Sequence, residues 1–366
     1  MKRLLILLLL LPLLATFATA APTEIGTEPT EEDLGLETDG LADELPDAAR
    51  ELLPLEGPEE DSDLWGGVWQ LFLRGLPLSQ ESLRNALRLC AVMLALVALF
   101  SLSRMLSVGE AAVRVAGALG LCAAMLSGMQ SMVTLASDTV RQLTDYSACL
   151  LPVLASAAAM SGGVTASGAL YAGTVLFSEL LMQLISKLLI PAVWFFLAVS
   201  VAEAALAGDT LSELRSFIGW LISKTLRILV YVFLAYLSIT GVIGGAADAN
   251  AVKATKAAVS GMVPVVGSII SDASETLLAS AGILKNSIGI FGMLAVLAIC
   301  LLPFLKVGIH YLMMKLTAAV SGTVGLPEHV TLRRQFSAAM GYLLGMCGAS
   351  GLLMLISAVC FLKVAA

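Results

Sequence analysis

Histidine is nearly missing from this chain: His310 and His329 are the only two, and neither stands near an acidic or thiol partner at metal-ligand spacing. No metal site is expected on that pattern. The six cysteines, at 90, 122, 149, 300, 347 and 360, each lie in an apolar run and form no C-x-x-C pair. Buried, inert thiols follow from this, not a disulfide framework. The G-x-x-x-x-G-K-[ST] signature is absent, which excludes nucleotide binding through a P-loop. No nucleophile stands beside a base, so no cofactor and no catalytic role are expected. Charge is scarce as well: Asp, Glu, Lys and Arg make up 13% of the residues.

Apolar residues fill that gap. They form 58% of the chain, and the mean hydropathy is +0.92, outside the range of soluble proteins. Met1-Lys2-Arg3, the apolar Leu4–Leu14 and the small Ala18-Thr19-Ala20 read as a signal peptide over 1–20, with cleavage after Ala20. Residues 21–63 hold sixteen acidic residues and the single basic Arg50. Such a composition buries too little apolar surface to offset its ordering entropy, so a disordered acidic extracytoplasmic segment is expected. From Leu64 onward eighteen basic residues face twelve acidic ones, a mildly basic membrane domain over 64–366.

The fold class is therefore all-α and polytopic in the membrane. Leu64–Leu78, with two tryptophans, reads as a helix at the bilayer interface or one packed in the core. Apolar helices are expected near 89–106, 115–136, 146–160, 166–187, 189–206, 228–246, 263–284, 287–304, 304–320 and 337–362, of which six to eight span. Pro152 to Pro191 and Pro264 to Pro303 are both 39 residues apart, which suggests repeats over 141–245 and 253–362. Ser337, Gly341, Gly345 and Ala349 form a small-residue ladder suited to helix contact. Glu179 and Glu203 are carboxylates inside apolar runs, each either functional or an interfacial or protonated carboxyl.

The stretch Lys253–Lys306 carries the clearest polar pattern. Ser268, Asp272, Glu275, Ala279, Gly282, Asn286 and Gly289 recur at steps of four and three, drawing one small and polar stripe along a helix. Lys285 lies about a quarter turn off it. The stripe faces a packed interior, an ion path or a subunit contact; the competing reading is an amphipathic helix on the membrane surface.

These residues also carry a resemblance. The run VPVVGSIISDASETLLASAGILKNSIG resembles the most recognisable block of the stage III sporulation protein AE family of endospore-forming bacteria, and the likeness extends over most of the chain. The resemblance implies a non-enzymatic membrane component, channel or scaffold, of the complex linking mother cell and forespore. The resemblance also implies a place in the mother-cell membrane around the forespore. Implied partners are the other stage III sporulation A proteins and, through them, the forespore's stage II sporulation Q protein. A homo-oligomer is expected, and no nucleic acid. The alternative is a self-contained secondary transporter with a midplane site at Asp272, Glu275, Glu179 or Glu203.

Overall fold

A computed structural model describes residues 41, 44–53, 64–105, 110–160, 164–206, 211–262, 267–321 and 327–363. Side chains are described for 41, 44–53, 66–102, 115–126, 128–160, 167–206, 211–237, 288–321 and 330–362. Every element among them is helical: α1 (Asp47–Leu52), α2 (Leu64–Leu78), α3 (Gln80–Met105), α4 (Glu110–Met160), α5 (Val164–Leu184), a π turn (Ile185–Leu189), α6 (Ile190–Leu206), α7 (Ser212–Met262), α8 (Gly267–Ser321) and α9 (Pro327–Lys363). Six stretches among the described residues are long and apolar enough to cross a membrane, and the chain reads as a multi-pass membrane protein.

Several helices expected as separate are continuous. The apolar runs 115–136 and 146–160 belong to one helix, α4. The intervening Ser137–Asp145 holds no Gly or Pro, and its Arg141 and Asp145 pair at i, i+4, so nothing stops the helix there. Likewise 263–284, 287–304 and 304–320 are drawn together from Gly267 onward in α8, with Pro303 inside it. Pro191 behaves differently from Pro303. It has no N–H to give the Lys187 carbonyl and its ring would crowd that group. The π turn Ile185–Leu189 lies directly before it, closed by Ile190 N–H on Ile185 O, and carries α5 into α6 without a break. The two halves suggested by proline spacing thus treat their second proline in different ways. Pro264 lies outside the described residues.

The antiparallel pair α8–α9 forms the centre, with α4, α5, α6 and α7 packed on α9 and α2, α3 and α4 on α8. Small residues make the close approach possible in lipid, where apolar burial alone does not drive helices together. Leu362 packs over Gly289, Cys300 over Gly351, Phe304 over Gly348, and Tyr311 over Gly341. Several buried hydroxyls are satisfied within their own helices: Thr317 donates to Met313 O at 2.8 Å and Ser350 to Met346 O at 3.0 Å. Two buried contacts cross from α5 to α9, Thr174 Oγ1 to Ser357 Oγ at 3.2 Å and Ser178 Oγ to Met354 Sδ at 3.6 Å.

The expected disorder over 21–63 does not extend to residues 44–53. There Leu45, Ala49, Leu52 and Leu53 are buried, together with Leu41, and α1 rests on α8. Arg74 Nη1 on α2 donates to Leu52 O at 3.3 Å and ties the segment down. Averaged composition concealed a local apolar spacing of three and four that gives this short helix one buried face. The expected signal peptide lies outside the described residues.

Candidate functional site

The turn from α6 to α7 brings together two residues of opposite charge. Glu203 lies in the last turn of α6 and Arg215 in the first turn of α7. Arg215 Nε stands 2.7 Å from Glu203 Oε2, while Nη2 makes a long bond of 3.4 Å to Oε1. The shorter contact is an ion pair without hydrogen-bond alignment. With side chains 15% and 11% exposed, both charges are largely out of water and each depends on the other.

Beside this pair a half-open cleft of about 360 Å³ is lined by Phe196, Arg215, Ser216, Gly219, Trp220, Ser223, Gln335 and Tyr342. Its size falls in the range of small-ligand sites. Phe196 and Tyr342 meet edge to face at 5.5 Å and 82°, a favourable arrangement of ring quadrupoles. Gly219 leaves room for the Tyr342 hydroxyl to approach α7. The lining thus offers a guanidinium, three hydroxyls, an amide and three aromatic rings. That combination can hold a polar group and an apolar one together.

Arg333, two residues before Gln335 on α9, is fully buried, and its Nε, Nη1 and Nη2 have no hydrogen-bond partner among the described residues. Neither it nor Arg215 stood out in the sequence. Arg215 was accessible to a closer reading, since it opposes Glu203 across Gly208-Asp209. Arg333 was not, because a basic residue at a helix start reads as solvated until the fold encloses it.

The remaining candidates are placed separately. Glu179 is exposed on α5 and accepts a bond from Gln183 Nε2 at 2.8 Å. Ser268, Asp272, Glu275, Ala279, Gly282 and Asn286 lie on the backbone of α8, and their side chains fall outside the described residues. Gly289 continues that stripe into the described part, under Leu362. In the ladder, Ser337 and Ala349 are buried. Gly341 meets Tyr311 of α8 and Gly345 meets Leu226 of α7, so the ladder serves two neighbours. His310 is buried with Nδ1 2.9 Å from Lys306 O, and His329 lies outside the described side chains. None of the six cysteines is in a disulfide. No group of three His, Cys, Asp or Glu among the described residues is placed to hold a metal.

Comparison with known proteins adds an identity to this geometry. The stage III sporulation protein AE of Bacillus subtilis (strain 168) is 24% identical over 204 residues, which cover 55% of this chain and 50% of that protein. The chain therefore matches about half the length of this curated relative. No solved structure matches it. The sequence model of the family described as stage III sporulation protein AE matches residues 51–365, and on that span the chain belongs to the stage III sporulation protein AE family, with the role in sporulation that the family carries.

Proposed function

We propose that this chain is a non-enzymatic channel or scaffold subunit of the complex that joins mother cell and forespore. It acts in the mother-cell membrane with the other stage III sporulation A proteins and, through them, with the forespore's stage II sporulation Q protein. An ATPase elsewhere in that complex drives any transport. The observation that carries the subunit reading is the close packing of one seam among the described residues. The seam where α4, α5 and α9 meet leaves a void of about 10 Å³ among Val140, Thr144, Ser178, Leu181, Ser350 and Met354. That is about the volume that admits one water molecule. That seam is too narrow for a conduit, and under this proposal the path runs between copies or between subunits.

The oligomeric state after mild detergent extraction tests this: a ring of several copies is expected, and a monomer or dimer would count against it. The Asp272/Glu275 stripe sharpens the test. If it lines a path between copies, Asp272→Asn and Glu275→Gln stop spore development and leave the assembly whole. If it is a subunit contact, Ala279→Leu and Gly282→Leu break the assembly and leave single subunits inserted. Four silent substitutions would remove the stripe from the proposal.

A second reading, a self-contained secondary transporter, is favoured by one feature, the 360 Å³ cleft beside the Glu203–Arg215 pair. Under that reading the monomer transports after reconstitution, and Glu203→Gln abolishes uptake without altering extraction or insertion.

A further inference from the structure

The length of the helices sets a problem for a single bilayer. The apolar stretch Val115–Met160 of α4 is 46 residues of unbroken helix, about 69 Å at 1.5 Å per residue. A bilayer's hydrocarbon is about 30 Å thick. Ser167–Leu206 runs 40 residues through the π turn and poses the same problem.

Charged residues stand at the middle of these long stretches. On α4, Arg141 and Asp145 bridge each other at 3.7 Å with side chains 73% and 71% exposed. They flank Val140, Leu143 and Thr144, which share the small void with Ser178 and Leu181 of α5 and Ser350 of α9. Glu179 adjoins Ser178 and is exposed, as is Lys187 in the π turn beyond. On α7, Lys224 and Arg227 are exposed on either side of Leu226, which packs on Gly345. Gly345 is about one and a half turns from Ser350, so these charges share a level.

Apolar bands lie on both sides of this belt. Above it, Tyr146–Met160, Ile228–Leu237, Ile288–Leu305 and Ala349–Leu362 contain no Asp, Glu, Lys or Arg. Below it, Leu89–Leu102, Val115–Ser137 and Leu188–Ala202 contain none either. Both bands expose large apolar side chains, for example Tyr171 above and Leu119 below. Each band also has charges along one side, Glu44, Asp47 and Glu51 beside the upper and Lys315 and Arg334 beside the lower.

A bilayer centred on the molecule would place the belt in hydrocarbon, where even the mildest scale assigns about 2.5–3.5 kcal/mol to each charged residue. A central pore cannot shelter it. The belt's charges come from α4, α5, the π turn and α7, which pack around the α8–α9 pair, and they cannot all face one channel.

We infer that the belt is a headgroup-level surface: the hydrocarbon covers one apolar band only, the belt meets the phospholipid headgroups at its edge, and the other band stands clear of the bilayer. The belt's exposed side chains are Arg141, Lys187, Lys224 and Arg227 against Asp138, Asp145 and Glu179. This excess of basic residues suits an anionic lipid surface.

The test uses the full chain in sealed vesicles of phosphatidylethanolamine and phosphatidylglycerol, with the native cysteines changed to alanine. Asp145→Cys and Lys224→Cys are treated with a membrane-impermeant maleimide, before and after opening the vesicles without detergent. Both positions are expected to react in one of these two states, as a water-facing control does. Reaction only after detergent would overturn the proposal. A second measurement places the bands. With Trp65, Trp69, Trp194 and Trp220 changed to Phe, Leu119→Trp and Tyr171→Trp are compared in vesicles containing bromine-labelled acyl chains. One tryptophan is expected to be quenched several-fold more than the other. Equal quenching of both, strong or weak, would overturn the proposal. Circular dichroism of each variant in vesicles verifies folding, and Arg227→Cys and Leu126→Trp, at neighbouring exposed positions, serve where a variant fails to insert.

Discussion

The spans of α9 and α3 are nearly equally apolar, with mean hydropathy 2.1 and 2.0, yet they direct that character differently. The spans of α8 and α9 bury 67% and 56% of their most apolar windows inside the protein, against 22% for α3 and 28% for α7. Hydropathy therefore says which segments avoid water and not which face protein. In lipid the distinction rests on fit, because acyl chains solvate leucine as well as another helix does. The central seam has glycines at 289, 292, 341, 348 and 351, each set against a side chain of a neighbouring helix. The outer surfaces of α3 and α7 show Leu99, Leu102, Phe217 and Tyr231 instead.

The contrast can be broken most severely at the seam. Phe336→Ala on α9, where the ring is fully buried, is expected to cost up to about 3–5 kcal/mol, since no lipid fills the cavity. Leu99→Ala on α3, 61% exposed, should stay within about 0.5 kcal/mol. Equilibrium unfolding in mixed detergent micelles measures both, and equal losses would erase the distinction between centre and rim.

The α6–α7 turn is the one place where the less buried part of the molecule should approach the centre in sensitivity. Glu203→Gln leaves Arg215 without its counter-charge and is expected to cost about 3–5 kcal/mol, the range for breaking a buried pair. The double change Glu203→Gln with Arg215→Met should recover a good part of that loss in the same assay. An additive double variant would show that the two residues act independently.

Arg333 should behave in the opposite sense. It is buried without a partner among the described residues, so Arg333→Met is expected to stabilise the isolated chain by about 1–4 kcal/mol. A destabilised Arg333→Met would reveal a counter-charge for it.

Glycine substitutions give the smallest and most graded comparison. A Cβ at Gly351 would come within 2.6 Å of Cys300 Sγ, whereas one at Gly168 on α5 meets nothing within 4 Å. Gly351→Leu should therefore cost about 1–3 kcal/mol by overpacking, and Gly168→Leu should be nearly silent. Thermal unfolding of the two variants side by side decides it.

Much of this protein is legible in its amino-acid sequence alone. An apolar composition with charge confined to short stretches dictates membrane helices, because only hydrogen-bonded helices or closed barrels satisfy the backbone in lipid. The block around Asp272 and Glu275 carries the family in its residues. The ladder at 337–349 shows a face of close approach, since small residues at a four-step recur on one side of a helix. The tertiary structure decided what depends on where the chain returns. Ser137–Asp145 became the middle of one helix and not a break between two, because its residues tolerate either state and packing on α5 and α9 selects one. Glu203 acquired Arg215 by way of a turn, and Arg333 lost its access to water once other helices closed around it. Leu41, Leu45, Ala49 and Leu52 found a core that no average over an acidic segment could show. Local spacing sets which way a side chain points along its own helix; only the fold determines what stands opposite.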